Sequence, residues 1–354
     1  TAELSVREFG EYGVVLMIVN FLTIFISLNM NGALTVFYHK KSSIGGYYTG
    51  ALLVIAINIV VVLCVAILIN FLVNLPSYII LAISIAAASA YLNLHLAVFQ
   101  TSRNAKIFVL LRAVFVFIDI VATVVFFKVF AGTLEMRMLA MLLAFFIPFL
   151  IGMYWVIHFK QIVPSTSSKE QVTKLLLFGL PLLPHSLSGA IIMLTDRAII
   201  GGVLGVESVG IYMAAMQMGM IILLLAEPAN KAFAPWLFSK LKNSEVDHRQ
   251  TLSRITLAYY FVLITFAAIV WLLGDIMFSL LVDPKFHAAK EIFGLMILGF
   301  VFQGMYYTVV NYLVFYEKTG VISMITFCIA VIGLSFSLLL TINFGILGSA
   351  ASFA

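Results

Sequence analysis

Residues 49–72 read TGALLVIAINIVVVLCVAILINFL, a run without a single charged side chain. A bilayer core of roughly 30 Å is crossed by about 20 helical residues, so this run is long enough to span a membrane. Other apolar runs of comparable length follow along the chain. The ten predicted spans lie near 14–38, 49–72, 77–99, 109–127, 138–157, 175–195, 208–227, 255–274, 292–316 and 320–342. The pattern therefore predicts an all-α integral membrane protein.

The composition excludes a water-soluble globular protein. Hydrophobic residues make up 63% of the chain and charged residues 10%, whereas a soluble domain is about 45–50% apolar and 25% charged. Both cysteines, Cys64 and Cys328, fall inside predicted spans, so no disulfide framework is expected. The net charge of +5 belongs to loops, where it meets anionic lipid, and it gives no evidence for nucleic-acid binding.

Lys and Arg are distributed unevenly between the two sides of the predicted spans. Fourteen of the 20 lie in one set of alternate connections and six in the other. The positive-inside rule places the richer set in the cytoplasm, so residues 1–13 and the segment after 342 are predicted to lie outside. The chain starts without Met, and residues 345–354 read like the opening of another apolar segment. We therefore expect an internal piece of a longer protein, lacking at least one helix at each end.

A short segment recurs at an offset of 200 residues. Residues 4–12 read LSVREFGEY and residues 204–212 read LGVESVGIY, with Leu, Val, Gly and Tyr at matching positions. Both copies lie in an outside loop that enters a span. Duplicated transporters of this kind hold their substrate between two pseudo-symmetric lobes. We predict an N-terminal lobe over 1–159, a cytoplasmic linker over 160–174 and a C-terminal lobe over 175–354.

The predicted span over 175–195 contains Pro181 and Pro184, each of which removes a backbone donor and clashes with the preceding helical turn. We predict a hinge at these prolines, in a broken helix that a membrane tolerates only against protein or a wet cavity. One face of this helix carries His185, Ser188, Ile192 and Asp196. Either this face lines a transport pathway, or His185 is satisfied by a neighbouring carbonyl at a simple proline kink.

Two further helices carry polar side chains at helical spacing. One stripe consists of Asn20, Thr23, Ser27 and Asn31, and the other of Gln303, Tyr307 and Asn311. Facing stripes line a hydrated cavity, whereas single stripes also serve as interhelical hydrogen bonds worth roughly 0.6–2 kcal/mol each. Both interpretations remain open at this point.

Asp119 lies within a predicted span, where an isolated charge costs roughly 2.5–3.5 kcal/mol on insertion scales. It is therefore protonated, paired or part of ion coupling. The chain has no metal-spaced His, Cys and Asp set and no Gly-rich phosphate loop. We accordingly predict no enzyme activity, no catalytic residue, no metal and no cofactor, so transport must draw on an ion gradient or on the substrate itself.

Three motifs carry a family resemblance. The first is FGLPLLPHSLSG over 178–189 with TDR over 195–197, the second is LGVESVGIY over 204–212, and the third is DPKFHAA over 283–289. Together they resemble the Wzx-type polysaccharide flippases of the multidrug/oligosaccharidyl-lipid/polysaccharide exporter (MOP) superfamily. The resemblance implies twelve or more helices in two lobes around a central cavity. This chain would then hold helices 2–6, 7–11 and the start of helix 12.

The resemblance also implies a function. A flippase of this family moves an undecaprenyl-diphosphate-linked oligosaccharide from the cytoplasmic to the outer leaflet by alternating access, in the inner membrane of a bacterium or an archaeon. Expected partners are this lipid-linked oligosaccharide, membrane lipids and other polysaccharide-assembly membrane proteins, but no nucleic acid. The alternatives are a multidrug or organic-cation exporter of the same superfamily and a non-transporting membrane scaffold for glycan assembly.

The candidate site residues follow from these patterns. Predicted substrate-binding residues are Arg197, His185, Asn20, Ser27, Asn31, Gln217, Gln303 and Asn311. Asp196 and Asp119 are the predicted ion-coupling residues. A guanidinium suits phosphate because its planar fork donates two parallel hydrogen bonds, so we assign the diphosphate head group to Arg197. The alternative is a local Asp196–Arg197 pair that anchors the helix at the membrane interface.

Overall fold

The computed structural model describes residues 4–40, 44–102, 104–130, 132–158, 165–242, 248–316 and 319–354, apart from some side chains within helices. In chain order the helices are α1 (Val6–Ser27), α2 (Met30–Lys40), α3 (Ile44–Val73), α4 (Tyr78–Thr101), α5 (Ala105–Val129), α6 (Leu134–His158), α7 (Lys169–Gly179), α8 (Leu183–Val203), α9 (Val206–Gly219), α10 (Ile221–Lys242), α11 (His248–Leu272), α12 (Gly274–Leu281), α13 (Lys290–Phe315) and α14 (Thr319–Phe353). Short 3-10 turns cover Leu180–Leu182 and Pro284–Ala289. No strand occurs in these ranges, and the predicted all-α class is confirmed.

The predicted spans can be compared with the helices one by one. Over the described ranges, eight helices are long and apolar enough to cross a membrane. A ninth span is the pair Val206–Gly219 and Ile221–Ala234, which is bent by 46°. Two predicted spans are not single helices. The span 14–38 falls on α1 and α2, which are interrupted at Leu28 and Asn29. The span 175–195 is divided between α7, the 3-10 turn and α8, as its prolines require. A multi-pass membrane protein is thus confirmed, although not all ten spans are continuous helices.

The chain divides into two compact units, Val15–Ala190 and Thr1–Val14 with Ile191–Ala354. These units do not coincide with the predicted lobes over 1–159 and 175–354. The reason for the difference at 175–190 is local, because α7 packs against α2 and α3. The predicted lobe boundaries themselves stay a prediction.

Within the unit Val15–Ala190, the buried centre is α4. Its inner face is rich in alanine, which lets α2 and α6 approach closely. His95 of α4 is fully buried and forms a 2.8 Å hydrogen bond with the hydroxyl of Tyr48 on α3. His95 also packs beside Gly152 of α6, so it contributes to the contact between α4 and α6. By contrast, α3 and α5 leave most of their surface exposed, as lipid-facing helices do.

In the other unit, the two copies of the repeated segment meet each other. A methyl group added to Gly10 of α1 would collide with the carbonyl oxygen of Val206, and one added to Gly210 of α9 would collide with that of Val6. Such a reciprocal contact is what a two-fold axis between matching segments produces. The geometry therefore supports the internal duplication predicted from the offset of 200 residues.

Gly345 lies just beyond the last predicted span, 320–342. Gly345 has a φ of 61°, so α14 consists of two helical stretches on either side of it. This conformation is readily adopted only by glycine. A new apolar segment was predicted to open at residue 345, and a helical stretch follows there.

Gly210→Ala should weaken the helix crossing between α1 and α9. The added methyl group has no space beside the Val6 carbonyl, so a backbone shift costing about 1–3 kcal/mol is expected. Thermal unfolding of the detergent-solubilised protein measures this as a lower melting temperature. Gly202→Ala is the matched control, because no other atom lies within 4 Å of a methyl group there. Equal melting temperatures for the two variants would contradict a close glycine crossing.

Candidate functional site

Two interrupted helices meet within the unit Val15–Ala190. The first interruption separates α1 from α2 at Leu28 and Asn29, which have φ values of 43° and 56°. The second is the 3-10 turn that contains Pro181. Gly179 lies where they touch, since a methyl group on it would collide with the Leu28 carbonyl oxygen. The predicted break at the prolines is therefore observed, while a hinge motion at Pro181 and Pro184 stays a prediction.

Asn29 satisfies polar groups that these interruptions expose. Its side-chain amide donates to the carbonyl oxygen of Gly179 at 3.5 Å, and its Oδ1 accepts a hydrogen bond from Ser186 Oγ at 2.8 Å. Asn29 thus supplies a donor to a backbone carbonyl beside the break, as irregular backbone at membrane depth requires. The side chains of His185, Ser188 and Ile192 lie outside the described residues, so the predicted role of His185 stays a prediction.

Asp196 of α8 is a buried carboxylate with two hydroxyl partners. Its exposed fraction is 9%, Tyr212 of α9 donates to Oδ2 at 2.8 Å, and Ser337 of α14 donates to Oδ1 at 3.0 Å. Three helices thus converge on one carboxyl group. Hydroxyl donors stabilise a buried carboxylate through hydrogen bonds. Unlike the cation of an ion pair, they carry no charge of their own.

A cavity of about 390 Å³ opens beside this carboxylate. Its polar lining comes from Thr195, Asp196, Gln303, Tyr306 and Ser352, and its remaining walls are mainly apolar. The predicted ion-coupling residue Asp196 and the predicted substrate-binding residue Gln303 therefore line the same cavity. A mostly apolar pocket with few converging polar groups is typical of small-molecule and ion sites.

Arg197 is buried instead of lying on an exposed outer surface. Its exposed fraction is 7%, its Nε donates to Met213 Sδ at 2.9 Å, and its second terminal nitrogen donates to Met216 Sδ at 3.3 Å. These methionines belong to α9. Thioether sulfur is a weak acceptor. The predicted head-group role of Arg197 requires its side chain to exchange these acceptors for phosphate oxygens, and it stays a prediction.

The polar stripe of α1 forms hydrogen bonds mainly within its own helix. Asn20 donates to Leu16 O at 2.7 Å, Thr23 to Val19 O at 2.7 Å and Ser27 to Ile24 O at 3.3 Å. Asn20 is exposed, and Asn31 is half-buried in α2. These bonds are not the interhelical glue that was one interpretation of the stripe. The predicted binding roles of Asn20, Ser27 and Asn31 remain predictions.

The polar stripe of α13 is linked to α10. Asn311 donates to Asn230 Oδ1 across the two helices at 2.7 Å, and Gln303 donates to the Tyr307 hydroxyl at 3.2 Å. Gln217 of α9 is exposed. This stripe combines both interpretations offered by the sequence, because Asn311 bridges helices while Gln303 lines the cavity beside Asp196.

Asp119 is paired. Arg137 of α6 donates to both of its carboxylate oxygens, at 2.7 Å and 3.0 Å. This two-pronged geometry is the strong form of an Arg–carboxylate pair. Of the three alternatives considered for Asp119, the structure shows the paired one, and its role in ion coupling stays a prediction.

Several residues of these clusters were not singled out from the sequence. Tyr212 was visible only as a matching position of the repeat, and Asn29 lies out of phase with the polar stripe of α1. Ser337 gave no signal, because it meets Asp196 from 141 positions away in the chain. Asn230 was not part of any predicted polar stripe, and it is identified only by its hydrogen bond with Asn311.

The fold is shared with solved membrane transporters. A structure described as the inward-facing conformation of a multidrug resistance MATE family transporter of the MOP superfamily covers 98% of this chain and 88% of its own, with a TM-score of 0.71 and 14% identity. A MOP superfamily transporter from Pyrococcus furiosus covers 98% and 82%, with a TM-score of 0.53 and 16% identity. A Vibrio cholerae MATE transporter covers 97% and 83%, with a TM-score of 0.57 and 15% identity. These likenesses establish the transporter fold.

The sequence itself matches named proteins. "Lsg locus putative protein 1" of Haemophilus influenzae is 25% identical over 276 residues, which are 73% of this chain and 67% of that protein. The family model described as "Polysaccharide biosynthesis protein" matches residues 1–241. With its MOP-superfamily transporter fold, this multi-pass membrane chain therefore belongs to the polysaccharide biosynthesis protein family.

Proposed function

We propose that this protein is a flippase that moves an undecaprenyl-diphosphate-linked oligosaccharide from the cytoplasmic to the outer leaflet of a bacterial or archaeal cell membrane. One observation carries the proposal: a chain of the polysaccharide biosynthesis protein family has the fold of an exporter. A family that builds polysaccharides needs sugar units on the far side of the membrane. A transporter fold without enzyme motifs can supply them by movement alone.

Polar side chains within the spans support a hydrophilic cargo. Asn20 and Gln217 are exposed, although both lie in segments apolar enough to cross a membrane. Polar groups at this depth ordinarily face a bundle interior or a water-filled space, since lipid cannot hydrogen-bond them. Amide groups both donate and accept, as sugar hydroxyls also do. The apolar tail of the cargo needs no such groups, because it can remain in the bilayer.

We assign ion coupling to Asp196 before Asp119. Asp119 is neutralised by two hydrogen bonds from Arg137, and breaking such a pair is strongly destabilising when it is partly buried. Asp196 instead has hydroxyl partners and borders a cavity. The cavity gives a cation or a proton access to this carboxyl group.

A second function is favoured by the solved structures, two of whose descriptions name multidrug resistance transporters. The acidic group beside the cavity, Asp196, also suits an organic cation. The two functions differ in cargo charge, since a diphosphate lipid is anionic and a drug of this class is cationic. A competition between the two cargoes therefore separates the proposals, and a non-transporting scaffold would respond to neither.

The purified protein in lipid vesicles should move a fluorescently labelled undecaprenyl-diphosphate oligosaccharide between leaflets when an ion gradient is imposed. Quenching by a membrane-impermeant reductant measures the labelled fraction in the outer leaflet. Vesicles without protein provide the background rate. Failure to exceed that background under every imposed H⁺ or Na⁺ gradient, or export of organic cations in its place, would overturn the flippase proposal.

Asp196→Asn should uncouple transport from the ion gradient. Asn keeps the size of the side chain but cannot change charge, so we expect gradient-driven flipping to fall about tenfold or more while the protein stays folded. The same vesicle assay measures this loss with and without the gradient. Asp275→Asn is the matched control, because the Asp275 side chain is 88% exposed. An Asp196→Asn protein with undiminished gradient dependence would remove Asp196 from coupling.

Arg197→Lys should lower flipping markedly while expression and membrane insertion stay normal. Lys keeps the positive charge but loses the planar fork that donates two parallel hydrogen bonds to phosphate. Initial flipping rates measure the effect. Arg7→Lys is the matched control, since the Arg7 side chain is 71% exposed and pairs only along its own helix with Glu11. Full transport by the Arg197→Lys protein would refute the head-group role.

A further inference from the structure

Glu227 is an exposed charge at the end of the predicted span over 208–227. It lies on α10 within the bent pair of helices that spans residues 206–234, and its side chain is 49% exposed. Pro228 follows it, yet α10 continues through this proline to Lys242. The proline therefore does not end the helix at Glu227. Because a carboxylate facing hydrocarbon is costly, this surface of α10 must meet water or a polar ligand.

A cavity of about 340 Å³ lies at this surface, beside the bend between α9 and α10. Gln217 and Glu227 are its polar lining, with apolar side chains such as Leu224 around them. Ligand pockets are roughly 300–1,000 Å³ in volume, so this one is at the small end. It suits a single ring better than a large flat molecule.

Residues of α13 lie along α10 beside Glu227. A methyl group on Gly304 of α13 would lie 3.1 Å from Ala226 Cβ, and Asn311 donates to Asn230 Oδ1 at 2.7 Å, so Glu227 and Tyr307 lie between these two contacts. The Tyr307 hydroxyl accepts a hydrogen bond from Gln303, so its own O–H is able to donate to a ligand. Asn311 is only 7% exposed, so it positions Asn230, whose amino group keeps hydrogen-bonding capacity.

These groups match the chemistry of a sugar ring. Neighbouring hydroxyls of a sugar each donate and accept, and a carboxylate accepts their O–H groups in short, strong hydrogen bonds. A tyrosine ring adds an apolar face with a polar edge. A diphosphate offers only acceptors and carries negative charge, so it finds no favourable partner in Glu227.

We propose that Glu227, Tyr307 and Asn230, the last positioned by Asn311, form the sugar-binding part of the transport site, and that Glu227 selects a neutral sugar over an acidic one. This proposal rests on the proposed flippase function and adds the chemical class of the sugar. Lys231, whose Nζ lies 3.9 Å from one Glu227 oxygen and whose side chain is 79% exposed, leaves the second carboxylate oxygen available to the ligand. Like-charge repulsion then disfavours a uronic acid at this position.

The test measures binding of three synthetic short-chain prenyl diphosphates to the full-length protein in nanodiscs. One carries N-acetylglucosamine, one carries glucuronic acid and one carries no sugar. We expect Glu227→Gln to lower the affinity for the N-acetylglucosamine probe about tenfold, because it removes a hydrogen bond to a charged group. The same change should raise the affinity for the glucuronic acid probe relative to the affinity for the N-acetylglucosamine probe. Tyr307→Phe should lower the affinity for both sugar probes by a smaller factor.

The sugar-free probe shows whether each variant still folds and binds a diphosphate lipid, so its affinity should stay unchanged. Glu291→Gln and Tyr316→Phe are matched exposed controls at the ends of α13, and neither should alter any affinity. Unchanged binding of both sugar probes by Glu227→Gln, equal weakening of the sugar-free probe, or a wild-type preference for glucuronic acid would overturn the sugar site. If the wild-type protein binds none of the three probes, the flippase proposal itself fails.

Discussion

Every backbone polar group inside a bilayer needs a partner, and the broken helices of this protein meet that requirement with side chains. Where α1 gives way to α2, two residues adopt left-handed conformations. Where α7 gives way to α8, the carbonyl of Gly179 leaves its helix and is reached by Asn29. The interruptions lie against each other, so an asparagine from the first one bonds to groups at the second. A break that faced lipid would leave its backbone groups without a hydrogen-bond partner.

The two intramembrane aspartates show two solutions to the problem of a charge in an apolar surrounding. Asp119 is neutralised by a guanidinium that contacts both of its oxygens. Asp196 is held by the hydroxyls of Tyr212 and Ser337, which stabilise the carboxylate but bring no opposite charge. The first arrangement pairs the carboxylate with an opposite charge, and the second surrounds it with neutral hydroxyl donors. Identical residue types therefore have different partners at the two positions.

The sequence predicted most of the fold because its determinants are local. Apolar runs define helices in a membrane, and the break at Pro181 follows from the missing donor of proline. Less of the candidate site could be predicted from the sequence. Polar spacing identified Asp196, Gln303 and Asn311, but nothing along the chain indicated that Ser337 meets Asp196 or that Asn29 reaches Gly179. Those pairings depend on helix packing, which a single apolar pattern does not encode. The buried position of Arg197 was likewise missed, since a basic residue at a helix end reads as interfacial.

The crossing of Gly10 and Gly210 also couples the two repeated segments to each other. Each glycine is the other's neighbour, so a side chain on either one would take up space that the facing helix occupies. Most positions on a helix can accept a new side chain if only their own surroundings adjust. Here a larger residue on one helix requires an adjustment of the other, so the two segments constrain which residues each can carry.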